Sequence, residues 1–153
     1  MAKERCSLPF KKVASARTCT APFHRTGRNM KHCVDFYLPS NTPIRAACDG
    51  IVMETESRYN KNYRNRRFEE RCNRVVIMHD SGEETVYAHL AWRSVRVRKY
   101  QEVKRGQIIA LSGQTGYASY PHLHFGVYNL LGKNIKACFD EKIPRKVSYK
   151  RYS

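Results

Sequence analysis

Pro121-His122-Leu123-His124-Phe125-Gly126-Val127-Tyr128 reads as a single β-strand. Side chains alternate across a strand, so His122 and His124 leave one face while Leu123 and Phe125 point to the other, toward a core. The same texture recurs upstream. Val34-Asp35-Phe36-Tyr37-Leu38 is closed by Pro39-Ser40-Asn41, and Val75-Val76-Ile77-Met78 turns at Asp80-Ser81-Gly82 and returns through Thr85-Val86-Tyr87-Ala88-His89-Leu90. Val95-Arg96-Val97-Arg98 alternates, and Val103 and Gln107-Ile108-Ile109-Ala110-Leu111 follow before a loop marked by Gly113 and Gly116. Ile44 to Cys48 and Ile51 to Met53 flank Asp49-Gly50, a hairpin signal. Helical periodicity appears nowhere. The expected fold is all-β, a mainly antiparallel sheet sandwich spanning 22–132, with a basic arm at 1–21 and a basic tail at 133–153.

The chain of 153 residues suits one domain with one core. No apolar run approaches the roughly 18–20 residues a membrane span requires. Met1-Ala2-Lys3-Glu4-Arg5-Cys6 carries charges with no apolar stretch behind them, so no signal peptide is visible. The net charge of +16 favours a polyanionic partner without choosing among nucleic acid, an anionic membrane surface and an acidic wall polymer. Five of the 29 basic residues lie in an exposed, aromatic-rich loop, Ser57-Arg58-Tyr59-Asn60-Lys61-Asn62-Tyr63-Arg64-Asn65-Arg66-Arg67. The six cysteines (Cys6, Cys19, Cys33, Cys48, Cys72, Cys138) are many for a cytosolic chain of this length and point to disulfides in an oxidising compartment. No Cys-x-x-Cys pair exists, which argues against a structural zinc knuckle.

The chemistry lies in the histidines. Two imidazoles side by side on a half-buried strand face need partners, and a metal is a common one, as are ordinary hydrogen bonds. Asp35 stands between Val34 and Phe36 in an apolar strand, where a carboxylate needs a cation or several donors. His89 ends another strand. Three strands thus present ionisable groups that can share one face, and two histidines with one carboxylate form a recurring catalytic zinc site. His79, after Met78, reads as a plain surface histidine.

Five stretches in order carry a resemblance to the lysostaphin/LytM-type metallopeptidases. They are Val34-Asp35-Phe36-Tyr37-Leu38-Pro39; Asn41-Thr42-Pro43-Ile44-Arg45-Ala46-Ala47-Cys48-Asp49-Gly50-Ile51-Val52; Tyr87-Ala88-His89-Leu90; Val103 to Gly116; and Pro121-His122-Leu123-His124-Phe125. The resemblance covers about residues 22–128 and implies the lysostaphin/LytM-like sheet fold. It also implies one Zn²⁺ per chain, with Asp35 and His124 as ligands and His89 and His122 flanking the reaction centre, one as general base and one at the oxyanion. For the remaining ligand two histidines compete. His32 lies three residues before Asp35 and so faces away from it in a regular strand, whereas His24 precedes the Thr26-Gly27-Arg28-Asn29 turn and aligns with an upstream family histidine. The alignment favours His24. Tyr120 and Gly126 stand where members often carry Gly and Glu, which bears on specificity.

The function implied is a periplasmic or secreted zinc endopeptidase acting on peptidoglycan peptide stems, with the basic loop at 57–67 resting on anionic cell-wall polymers. A non-catalytic relative that binds, or that activates another hydrolase, is the alternative. Nucleic-acid binding through the Arg- and Tyr-rich loop would explain the charge but would leave the histidines unused.

Overall fold

The computed structural model describes residues 5–12, 15–19 and 29–147. Among these no α-helix occurs, and the strands follow the alternation read from the sequence. They are β1 (Arg5–Cys6), β2 (Arg17–Cys19), β3 (Val34–Tyr37), β4 (Pro43–Arg45), β5 (Gly50–Glu56), β6 (Asn73–Met78), β7 (Glu84–Leu90), β8 (Glu102–Val103), β9 (Ile108–Leu111), β10 (His122–Tyr128), β11 (Asn134–Ile135) and β12 (Cys138–Phe139). The large sheet runs β2-β3-β10-β7-β6-β5-β8, with β11 also paired to β10. Two smaller pairs, β4-β9 and the parallel β1-β12, complete the strands among the described residues. Residues of the N-terminal arm and C-terminal tail therefore contribute strands: β2 extends the large sheet beside β3, and β1 lies against β12.

One face of the large sheet is the core. Phe36, Leu123, Phe125, Tyr87, Val75 and Ile77 are fully buried there and join Ile44 and Ile109 of the β4-β9 pair in one cluster. Phe139 of β12 closes the cluster with its ring 5.9 Å from that of Phe36. Burying an aliphatic or aromatic side chain of this kind is worth about 1.5–3 kcal/mol, so this layer supplies most of the drive to fold.

Three expectations are corrected. The strands flanking Asp49-Gly50 do not pair with each other: β4 pairs with β9, and β5 with β6 and β8. The intervening backbone bonds instead to the loop before β9, with Ala46 N–H donating to Gln107 O and Gly106 N–H to Ala46 O. Gly50 is needed for a different reason, since a Cβ there would lie 2.3 Å from the Met78 carbonyl oxygen. Residues 95–98 form no strand, because Arg96 N–H reaches Ile109 O of β9 while Tyr100 N–H reaches Val52 O of β5, so the segment bridges two sheets. His79 is buried rather than on the surface. Its ring nitrogens meet the Asp49 carbonyl at 2.7 Å and Thr85 Oγ1 at 2.9 Å, and Thr85 in turn donates to the Tyr87 hydroxyl.

All six cysteines are thiols in this structure, where a disulfide framework was expected, and five of them are buried. A buried thiol packs as a small apolar side chain, which accounts for cysteines spread through a core of this size.

Candidate active site

β10 sits between β3 and β7, and the register sets the site. His124 faces Asp35 on one side and Ala88 on the other, and His122 faces Tyr37. Residues paired across an antiparallel ladder share a face, so Asp35, His122 and His124 all project from the face opposite the core. Asp35 is almost fully buried, at 2% exposure. Its Oδ1 lies 2.9 Å from His124 Nδ1 and 3.8 Å from His122 Nε2.

His89 joins them by a backbone irregularity. The β6-β7 ladder pairs Arg74 with Ala88 and Asn73 with Leu90, so His89 is an extra residue without a cross-strand mate, and its φ is 61°. Strict alternation would place His89 beside Tyr87 in the core. The bulge reverses this: the His89 ring stands 4.6 Å from that of His122 and 6.0 Å from that of His124, while Leu90 takes the buried position. A non-glycine residue in this region costs about 1–2 kcal/mol, which the surroundings must offset. Asn73 Nδ2 and Thr115 Oγ1 both donate to the Leu90 carbonyl released from the ladder, and Asn73 also exchanges hydrogen bonds with the Tyr59 backbone.

The tautomers follow from the partners. A carbonyl only accepts, so His89 donates Nδ1–H to Thr115 O at 2.7 Å, and His122 donates Nδ1–H to Tyr120 O at 2.7 Å. Each neutral ring then carries its lone pair on Nε2. Burial, with the charges of His122 and His124, pulls the His89 pKa down to about 3, which keeps this ring neutral. At His124 burial works against the imidazolium, but the hydrogen bonds to Asp35 and the Cys33 sulfur, with the Asp35 charge, push its pKa up to about 10.

A small pocket lined by Asp35, His122, Tyr37, Tyr117 and Tyr120 lies at the cluster and shares walls with two larger grooves. A cleft of about 520 Å³ runs from His89 and His124 past Tyr117, Arg74 and Glu70, and a groove of about 500 Å³ lies on the other side against Tyr37, Leu38, Pro39 and Tyr120. The loop at 113–118 roofs the junction. Its Gly116, at φ 80°, passes so close to the residue before β6 that a Cβ would fall 2.5 Å from Cys72 Cβ. The basic loop is stitched to this roof through Asn62 Nδ2, which donates to Ala118 O at 2.6 Å, and Tyr63 N–H, which donates to Gly116 O. Beyond it Tyr63 and Phe68 stack at 4.7 Å, with Arg67 and Arg71 over the Phe68 ring.

The structure thus brings Asp35, His89, His122 and His124 together. His32 is exposed, with its backbone N–H bonded to Asn134, and His24 lies outside the described residues. Among the described residues no three His, Cys, Asp or Glu side chains are set to hold a metal by themselves. A carboxylate oxygen and an imidazole nitrogen in contact, with two further imidazoles beside them, are nevertheless donors that suit zinc. Reading the sequence singled out neither Asn73 nor Thr115.

This chain belongs to Peptidase family M23, whose model matches residues 29–137. It is 40% identical over 92 residues to peptidoglycan DD-endopeptidase ShyA of Vibrio cholerae, covering 60% of this chain and 18% of that protein. It is 36% identical over 98 residues to lysostaphin of Staphylococcus simulans, covering 63% of this chain and 17% of lysostaphin. Among solved structures, a zinc-containing peptidase from Vibrio cholerae superposes with a TM-score of 0.61 at 31% identity, covering 92% of this chain and 41% of that one. The chain thus spans about a fifth of the curated relatives it matches.

Proposed function

We propose that this chain is a zinc-dependent endopeptidase that hydrolyses the peptide cross-links of bacterial peptidoglycan. The observation that carries this reading is the buried Asp35–His124 contact with His89 and His122 alongside, both held by backbone carbonyls so that Nε2 is bare. Asp35 and His124 would hold the zinc with His24 as third ligand, and the metal when bound supplies Lewis acidity toward the scissile carbonyl and toward water. His89 and His122 divide the proton work. One accepts the proton lost by the attacking water, and the other, once protonated, donates to the developing oxyanion. Tyr120 and Tyr37, with rings 6.2 Å apart, line the groove on one side of the cluster and help orient the peptide.

In this reading residues 22–132 form the catalytic unit, with a basic arm at 1–21 and a basic tail at 133–153. The basic loop at 57–67 would rest on anionic wall polymers, and the substrate places the enzyme in the periplasm or outside the cell. Among the described residues no helix is long and apolar enough to cross a membrane. The test is digestion of purified peptidoglycan by the zinc-loaded chain, with mass spectrometry of the released fragments. Loss of cross-linked dimers with appearance of monomers is expected. An unchanged fragment pattern in the presence of bound zinc would instead favour the non-catalytic reading.

A further inference from the structure

Cys6 and Cys48 are separated by 42 positions in the chain, yet their sulfurs lie 3.3 Å apart, with the Cys48 thiol also directed at the Arg5 carbonyl at 3.4 Å. Both are buried, at 2% and 3% exposure. The approach is built into the backbone on both sides. Ser7 N–H donates to Ala47 O at 2.9 Å, and Asp140 N–H donates to Cys6 O at 2.9 Å. Arg105 ties the same corner, since its guanidinium bonds Ser7 Oγ and Asp140 while its amide donates to Asp49 Oδ1 at 2.7 Å. A disulfide requires sulfurs about 2.05 Å apart, which leaves little more than an ångström to close. The Cys33 sulfur has different company, facing the Tyr128 hydroxyl and the Asn134 amide.

We propose that Cys6 and Cys48 are a disulfide-forming site, oxidised by a thiol–disulfide oxidant of the glutathione-disulfide class, and that the bond fastens β1 to the segment between β4 and β5. One thiol loses its proton and attacks the oxidant's disulfide, which releases one small thiol and leaves a mixed disulfide. The second protein thiolate attacks the protein sulfur of that intermediate and expels the other small thiol. Two protein thiols are oxidised, and one small disulfide is reduced to two thiols. The oxidant reaches the pair when β1, only two residues long, lifts from β12. This inference is independent of the peptidase reading, because it concerns the far side of the core.

The experiment incubates the full chain, without denaturant, in a buffer of oxidised and reduced glutathione. The sample is quenched in denaturant with an alkylating agent, digested, and mapped by mass spectrometry. A cross-linked peptide pair containing Cys6 and Cys48 is expected, with Cys19, Cys33, Cys72 and Cys138 alkylated. The oxidised chain should melt about 10 °C above the reduced one, given the length of the loop closed. In Cys48→Ala, Cys6 should be alkylated and the rise in melting temperature absent. Recovery of Cys6 and Cys48 both alkylated, or of either joined to another cysteine, overturns the proposal. The mapping on the unaltered chain decides this even if the variant does not fold.

Discussion

His89 and Tyr87 stand two residues apart in β7 yet leave the sheet on opposite faces: Tyr87 hydrogen-bonds Thr85 and Ala47 in the core, and His89 stacks near His122 in the site. The positive φ at His89 makes this possible. It predicts different outcomes for two truncations. His89→Gly and His89→Ala should both lose most turnover, but the glycine variant should be the more stable by about 1 kcal/mol, because alanine keeps the strained backbone and glycine does not. Urea unfolding of the two proteins measures the difference. Equal stabilities would show that the bulge carries no strain.

The bulge has its own supports. Asn73→Ala removes one of the two donors to the Leu90 carbonyl and both side-chain partners of the part-buried Tyr59 backbone, at a cost of about 1–3 kcal/mol. Turnover should fall as well, since His89 is aimed by the same backbone. A variant that is destabilised but turns over peptidoglycan at the full rate would break the link between Asn73 and the imidazole.

Metal loading separates ligands from flanking groups. Asp35→Ala, His124→Ala and His24→Ala should each abolish stoichiometric zinc, and His32→Ala should retain it. His122→Ala should keep the metal and lose on the order of 10²–10⁴ in kcat. Zinc analysis of the five purified variants, paired with their rates, is sufficient. Full occupancy in Asp35→Ala would remove the foundation of the site.

The His124 pKa of about 10 sets a pH dependence in the metal-free protein. A group raised in the folded state from about 6.5 stabilises fully below that value and loses its contribution as pH climbs toward 10. Chelator-treated protein should therefore lose stability progressively between about pH 6.5 and pH 10, and Asp35→Asn should flatten that slope. Zinc must displace the same proton, so its affinity should strengthen across the same interval. A flat unfolding profile for the metal-free wild type would mean that the Asp35–His124 contact holds no extra proton.

Much of this was legible in the chain because alternation is a local property. Leu123 and Phe125 against His122 and His124 marked the core face and the opposite face, and Asp35 between Val34 and Phe36 called for a cation or donors, a place His124 takes. What alternation cannot carry is a break in itself. His89 belongs to the core by period and to the site by its bulge, and that bulge is held through the Leu90 carbonyl by residues 73 and 115, far away in sequence. The same non-locality hid the pairing of β4 with β9, which the Asp49-Gly50 dipeptide had suggested was a simple hairpin.

The place of β10 in the sheet has a consequence for how the site ages. With β3 and β11 on one side and β7 on the other, β10 has no free edge along most of its length. Amide groups there exchange with solvent only when the sheet opens as a whole, whereas β8, at the margin of the same sheet, frays first. His122 and His124 therefore outlast local breathing. If the proposed zinc site is correct, a molecule stripped of its metal should keep Asp35 and His124 in register, ready to be reloaded without refolding.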